Sequence, residues 1–102
     1  MRKLAAVSLL LVALASYAAP TTIAGSYAGP DPSYGLILEV AADGSLRGNY
    51  VESGHVAVLN AIEVTGANFR ARASFDDGSL RVLNGAVEAR GIRIGEKFFE
   101  KL

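Results

Sequence analysis

Residues 36–50 read Leu-Ile-Leu-Glu-Val-Ala-Ala-Asp-Gly-Ser-Leu-Arg-Gly-Asn-Tyr, two alternating apolar runs on either side of Ala42-Asp43-Gly44. Glycine tolerates the positive φ that a tight turn requires, so these three residues predict a hairpin loop. A three-residue loop keeps the apolar side chains on one face and sets Glu39 opposite Arg47 on the other. A two-residue loop would mix the two faces, so the three-residue register is favoured.

Glycine-containing turns recur along the rest of the chain, and no stretch after Pro20 shows helical periodicity. The connections are too short for crossover helices, which favours antiparallel pairing of neighbouring strands. The sequence therefore predicts an all-β antiparallel meander of about seven short strands. A small closed or partly open barrel is the favoured architecture, with a sandwich as the alternative. The expected strands are 22–28, 34–41, 45–52, 55–65, 68–75, 80–89 and 92–99.

Three further hairpins repeat the test of register. A three-residue loop at 52–54 sets Tyr50 opposite Val56 and makes Val58 a core residue. Turns at 66–67 and 90–91 are expected to set glutamate opposite arginine on the outer face, as Glu63 with Arg70 and Glu88 with Arg93.

The hairpin at Asp76-Asp77-Gly78 fits less simply. A two-residue turn followed by a β-bulge near residues 82–84 is favoured. The alternative is a three-residue loop, which brings Leu83 to the core but turns Arg81 inward. Asp-Gly-Ser-Leu-Arg occurs at 43–47 and again at 77–81. Repeated turn chemistry explains this better than an internal duplication, because the two copies place apolar residues on different faces.

The first 18 residues have the three parts of a secretory signal peptide. Arg2 and Lys3 form the positive region, an apolar run of roughly 12 residues follows, and Ser16-Tyr17-Ala18 supplies the small residues of a cleavage site. Cleavage is expected after Ala18. The run is shorter than the ~20 residues of a membrane-spanning helix, which argues against an anchor. We therefore expect a secreted or periplasmic protein with no transmembrane segment after cleavage.

Composition excludes several classes of function. Removal of residues 1–18 from the 102 leaves 84, with eight basic and ten acidic side chains and a net charge of −2. A nucleic-acid-binding protein is not expected at this charge. Without cysteine and with a single histidine, the chain predicts no disulfide, no metal site and no cofactor. The partner is left as an unknown small molecule or protein.

No arrangement of residues predicts catalysis. His55 follows Ser53-Gly54 and is expected to face solvent, and no nucleophile elbow is present. Asp76 and Asp77 are adjacent but lie in a turn, where aspartate caps backbone N–H groups. No catalytic residue is therefore assigned.

Two sets of residues are candidates for binding. Tyr34, Tyr50 and Asn60 are assigned to the core side, where an unpaired amide would cost about 1–3 kcal/mol unless a ligand contacts it. The favoured alternatives are a bulge at Leu59-Asn60 that turns the asparagine outward, or a barrel end open to water. The second set, Arg70, Arg72 and Arg81, forms an outer basic patch, either for an anionic surface or simply solvated.

The sequence thus favours a small exported, non-enzymatic β-barrel that binds an apolar or amphipathic ligand or a protein partner. A structural or oligomeric cell-envelope protein is the alternative, and a hydrolase is a distant third. A monomer is favoured over a homodimer, because charged residues flank Phe98 and Phe99. Neighbouring strand residues point to opposite faces, so one of these phenylalanines is expected in the core and the other outside.

Overall fold

The structure, a computed structural model, describes residues 23–102. Over this range eight antiparallel strands follow one another as a meander and close into a barrel. They are β1 (Gly25–Ala28), β2 (Gly35–Val40), β3 (Leu46–Glu52), β4 (His55–Thr65), β5 (Asn68–Phe75), β6 (Leu80–Glu88), β7 (Gly91–Ile94) and β8 (Lys97–Lys101). The expected signal peptide at 1–18 lies outside the described residues. Within residues 23–102, no helix has the length and apolar character needed to cross a membrane.

The predicted all-β barrel is confirmed, with eight strands in place of about seven. The expected last strand, 92–99, is divided by a turn at Gly95, which has φ 62°. Closure comes from β1 and β8, where Tyr27 lies opposite Lys101 and Ala28 opposite Glu100.

Side chains fill the interior of the barrel. Phe69, Phe99 and Leu36 are among the largest completely buried residues. Two inward glycines allow the strands to approach closely. A Cβ on Gly48 or on Gly85 would lie 2.2 Å from a backbone carbonyl oxygen of the neighbouring strand, so a side chain at either position would force the strands apart.

The β2–β3 hairpin has the predicted register throughout. Leu36 lies opposite Tyr50, and Glu39 lies opposite Arg47. Gly44 has φ 88°, as the three-residue loop requires. Asp43 Oδ1 accepts hydrogen bonds from the backbone N–H and the hydroxyl of Ser45, at 3.0 and 2.6 Å. These bonds stabilise the turn locally.

The predicted register of the β3–β4 hairpin is wrong by one residue. The loop has two residues, Ser53 (φ 50°) and Gly54 (φ 81°), so both adopt the left-handed conformation of a tight hairpin turn. Ala57, not Val56, lies opposite Tyr50. As a result Val58 is 56% exposed and does not belong to the core.

The β5–β6 hairpin has the alternative form, a three-residue loop. Phe75 N–H bonds to Ser79 O, and Gly78 has φ 91°. The ladder runs without a register shift from Ser74↔Leu80 to Asn68↔Ala86, so the predicted bulge near residues 82–84 is wrong. The bonds from Ser79 to Asp77 repeat those of the first Asp-Gly-Ser turn, which explains the repeated sequence by its turn chemistry.

The last predicted turn is also displaced by one residue. Glu88 lies opposite Gly91, and Arg93 lies opposite Ala86, so Glu88 and Arg93 are not direct ladder partners. They still form an ion pair, because Arg93 Nε reaches diagonally to Glu88 Oε2 at 3.1 Å.

The long strand β4 contains a bulge where the ladder with β5 shifts between Asn60 and Glu63. Ala61 has φ 51° at this point. The extra residue changes which side chains face inward: Leu59 is buried before the bulge, and Ile62 packs against the core after it. Asn60 stays exposed.

Candidate functional site

The barrel has two chemically different ends. The loops after β1, β3, β5 and β7 meet at one end, and the turns after β2, β4 and β6 meet at the other, because successive strands run in opposite directions. We refer to the first as the polar end and to the second as the cleft end. Each has an opening in the barrel wall.

At the cleft end, β3 and β4 separate. Their ladder ends at Gly48↔Leu59, whereas the β4–β5 hairpin continues to Thr65. From this point β3 stays with β2, and β4 stays with β5. The gap between them, here called the cleft, is an open groove with a volume of about 700 Å³.

The cleft has apolar walls and a polar rim. Leu46 comes from β3, and Ile62 and Val64 come from β4 beyond the bulge; all three are partly exposed and pack against the core. Its rim carries Glu39, Arg47, Asn49 and Asn60. Concave apolar surface with a few polar groups around it is the usual composition of a ligand site.

The bulge in β4 makes this apolar surface possible. Residues before it face the core at odd positions, such as Leu59, and residues after it do so at even positions, such as Ile62 and Val64. Without the extra residue, Ile62 and Val64 would face outward.

At the polar end, three side chains form a hydrogen-bonded chain, here called the polar cluster. The Tyr50 hydroxyl donates to Glu52 Oε1 at 2.8 Å, and Arg81 Nη2 donates to the same oxygen. The bond from Arg81 holds the pKa of Glu52 below its usual value, against the opposing effect of partial burial. Burial raises the pKa of Tyr50, and its bond to the Glu52 carboxylate adds to this shift. Tyr50 is therefore a neutral hydrogen-bond donor at ordinary pH.

Neighbouring loops extend the polar cluster. Tyr34 Oη lies 3.1 Å from Ser53 Oγ, and Lys97 Nζ lies 5.1 Å from the centre of the Tyr34 ring. Arg81 lies over the Phe75 ring at 5.2 Å. A smaller opening of about 370 Å³ lies beside the cluster, between β6 and the β7–β8 turn.

The titratable groups of the polar cluster are bonded to each other. Among residues 23–102 no group of three His, Asp or Glu side chains is placed to hold a metal ion. His55 Nδ1 lies 3.9 Å from Asp76 Oδ1, and both side chains are more than 60% exposed. This arrangement is a solvated turn contact, in which water competes for both groups.

The sequence candidates are distributed over both ends. Tyr34 and Tyr50 both lie at the polar end, whereas Asn60 lies on the outer rim of the cleft. The favoured outward position of Asn60 is correct, although the bulge lies at Ala61-Ile62 and not at Leu59-Asn60.

The expected basic patch is not continuous. Arg70 and Arg72 are exposed on β5, and Arg70 lies opposite Glu63 as predicted. Arg81 lies opposite the buried Ala73 and therefore on the inner face of the barrel, where it joins the polar cluster. Its inclusion in an outer patch is wrong, because the loop before it has three residues.

Several residues around the two openings could not be identified as site residues from the sequence. The sequence indicates only a turn at Glu52 and only a charged flank of Phe98 at Lys97. Neither residue carries a local signal for its contact with Arg81 or Tyr34, because these contacts join distant parts of the chain. The cleft residues Leu46 and Ile62 have the signal of inward apolar positions, but only the separation of β3 from β4 exposes them.

Comparisons add no relative to this description: no protein family, curated protein or solved structure matches the chain.

Proposed function

We propose that the protein is a small exported, non-enzymatic binding module and that the cleft between β3 and β4 is its binding site. The observation that carries this proposal is an opening of about 700 Å³ whose walls include the half-buried side chains of Leu46, Ile62 and Val64. The ligand is an apolar or amphipathic molecule, or an apolar segment of a protein partner. Its apolar part covers these side chains, and its polar part meets Asn49 and Asn60.

Two features support the cleft over other parts of the barrel. The interior is filled by buried side chains such as Phe69 and Phe99, so a ligand enters at an opening in the wall. At the polar end, Glu52 and Arg81 are already bonded to each other, and a ligand would have to replace that bond. At the cleft, water is displaced from apolar surface, which favours binding.

The signal-peptide pattern of residues 1–18 supports export. Small exported domains often depend on disulfides for their stability, and this chain has no cysteine. The packed core must therefore stabilise the fold. The completely buried Phe69, Phe99 and Ile92 are such a core.

The test is a fluorescence titration with anilinonaphthalene sulfonate, followed by displacement with dodecanoic acid. Ile62→Asp places a charge in the cleft wall and is expected to weaken both interactions by about tenfold or more. Val56→Asp is the matched control, because Val56 is 45% exposed on the outer face of β4 and lines no part of the cleft.

Melting temperatures check that both variants fold. If Ile62→Asp is too unstable, Val64→Thr keeps the shape of the cleft wall and replaces one methyl group with a hydroxyl group. Equal probe binding by wild type and both cleft variants would contradict the proposal.

A second candidate, an oligomeric envelope protein, is favoured by one observation. Ile37, Val58 and Leu80 are exposed and occupy one row across the outer face of β2 to β6, with Asn49 and Ser74 between them. A second subunit would cover this row. Light scattering that gives a dimer for the wild type and a monomer for Val58→Asp would favour this candidate.

A further inference from the structure

The backbone of β4 has a free edge along the cleft. In an antiparallel ladder, hydrogen-bonded pairs alternate with pairs that are not bonded. The two-residue turn after β4 makes Thr65↔Asn68 a bonded pair, so Glu63↔Arg70 is the next bonded pair along the ladder. The intervening residue, Val64, therefore directs its N–H and C=O groups away from β5 and into the cleft. Ile62 lies in the bulge, where the ladder between the described strands β4 and β5 does not pair it.

The β3 side of the cleft also directs backbone N–H and C=O groups into it. The bond from Ala41 N–H to Ser45 O makes Val40↔Leu46 a non-bonded pair on the β2 side. Leu46 therefore also directs its peptide groups into the cleft. Within residues 23–102, the ladder between β3 and β4 does not extend to Leu46, Ile62 or Val64.

We propose that the occupant of the cleft is an extended peptide that adds to the edge of β4 as a further strand. This inference rests on the proposed binding function of the cleft and specifies the class of ligand. A small apolar molecule would cover the side chains of Ile62 and Val64 but leave their peptide groups without partners. Burying such groups unbonded is unfavourable, whereas a peptide backbone supplies both a donor and an acceptor to each residue.

The side chains near the edge of β4 determine which peptide sequences fit the cleft. Peptide residues that pair with Ile62 and Val64 place their side chains on the same inner face, so apolar residues are selected at alternate positions. The residues between them face outward beside Asn49 and Asn60, where uncharged polar side chains fit.

The charges on the rim and the length of the free segment of β4 further restrict the peptides that can bind. The two charged residues of the rim, Glu39 and Arg47, lie opposite each other and offset one another, so no strongly charged peptide is favoured. The free segment at 61–65 spans about 16 Å at the usual strand rise, which is the length of a peptide of about five residues.

The probe is acetyl-Lys-Thr-Val-Thr-Val-Thr-Glu-amide, which has no net charge and whose two valines match Ile62 and Val64. Methylation of both valine nitrogens removes the donors that face β4, and we expect it to weaken binding by about tenfold or more. Methylation of the last two threonine nitrogens is the matched control. It adds the same number of methyl groups on the opposite edge of the peptide. That edge faces one residue of β3, Leu46, whereas the valine edge faces both Ile62 and Val64, so the control is expected to weaken binding less.

Amide hydrogen exchange provides the second measurement. The N–H groups of Ile62 and Val64 are expected to exchange rapidly in the free protein and to slow by about tenfold when the peptide is saturating. The amide of Glu63, which is bonded to β5, changes less and serves as an internal reference.

Equal effects of the two methylation patterns, or unchanged exchange at Ile62 and Val64, would overturn strand addition. If the amphipathic probe binds in the cleft and the peptide does not, this inference fails and the proposed function stands. If neither the amphipathic probe nor the peptide binds, both this inference and the proposed function fail. A concentration-dependent dimer that protects the same two amides would assign the edge to a second copy of the chain and would also overturn the inference.

Discussion

Arg81 and Glu52 are joined by a side-chain hydrogen bond at the polar end of the barrel, although β6 and β3 are separated in the sheet by β4 and β5. The same carboxylate oxygen accepts the Tyr50 hydroxyl at 2.8 Å. Two donors favour the ionised carboxylate, and the pKa of Glu52 is accordingly below its ordinary value.

This arrangement predicts how stability changes with pH. Because the pKa of Glu52 is lower in the folded state, its contribution is fully present above the ordinary value of 4.5 and is lost as the pH falls through the folded value. We expect the unfolding free energy of Glu52→Gln to fall less than that of the wild type between about pH 5 and pH 3. Urea unfolding at stepped pH measures the difference.

The control for this prediction is Glu88→Gln, which removes a more exposed carboxylate paired with Arg93. Such a pair contributes little to stability, so this variant is expected to follow the wild type more closely. The turn aspartates, whose pKa values are lowered by bonds from serine, are present in all three proteins. Parallel curves for wild type and Glu52→Gln would show that the polar cluster does not stabilise the fold through this carboxylate.

The corrected register of β4 predicts opposite effects at neighbouring positions. Leu59 is 3% exposed and Val58 is 56% exposed. Leu59→Ala should lower the unfolding free energy by about 2–5 kcal/mol through the cavity it leaves. Val58→Ala should lower it by less than about 1 kcal/mol. Denaturant unfolding tests both, and a larger loss in Val58→Ala would reverse the assignment of the two faces.

The contrast between two hairpins shows what the sequence can and cannot predict. Around Asp43-Gly44, charged and apolar residues alternate, so only one register separates the faces. Residues 56–59 are apolar without interruption, and either register satisfies the core. The positive φ of Ser53 decides between them, and serine gives little local indication of that conformation.

Strand alternation predicts some residues of the candidate site correctly but not others. Tyr50 follows the alternation of β3, and its predicted inward position is correct. The sequence predicts Arg81 outside, because a charged residue is normally excluded from a core. It faces inward without being buried, since the end of the barrel is open to solvent there. The cleft depends on where two ladders end, a non-local property with no single sequence signal.

The bulge in β4 predicts a stabilising substitution. Ala61 has φ 51°, a conformation that costs a non-glycine residue about 1–2 kcal/mol. Ala61→Gly should therefore raise the unfolding free energy by up to about 1 kcal/mol, after allowing for the greater freedom of glycine in the unfolded chain. Ala42→Gly, in an exposed loop without positive φ at that position, should lower it by a few tenths. Thermal unfolding of both variants measures the difference, and a loss in Ala61→Gly would contradict strain at the bulge.

The pattern of residues 1–18 predicts how the chain is processed. Signal peptidase is expected to cut after Ala18, so N-terminal sequencing of the exported protein should begin at Ala19. Ala18→Glu is expected to block cleavage at this bond, because the position requires a small side chain, whereas Ala13→Val within the apolar run should not. An exported wild-type pool that retains Met1 would contradict this prediction.

Phe98 and Phe99 are adjacent in β8 and are predicted to differ in their effect on stability and assembly. Phe99 is completely buried, with its ring centre 5.7 Å from that of Tyr50. Phe98 is partly exposed on the outer face, where Arg93 lies 5.2 Å from its ring centre. Phe99→Ser should lower the unfolding free energy by about 3–5 kcal/mol, as for other large truncations of buried aromatic residues. Phe98→Ser should have a small effect, because the arginine covers part of its ring and solvent the rest.

Melting temperature and light-scattering mass are measured on the same samples. Since Phe98 already has an intramolecular neighbour, both variants are expected to keep the mass of the wild type. A wild-type dimer that dissociates on Phe98→Ser would instead identify β8 as a subunit interface.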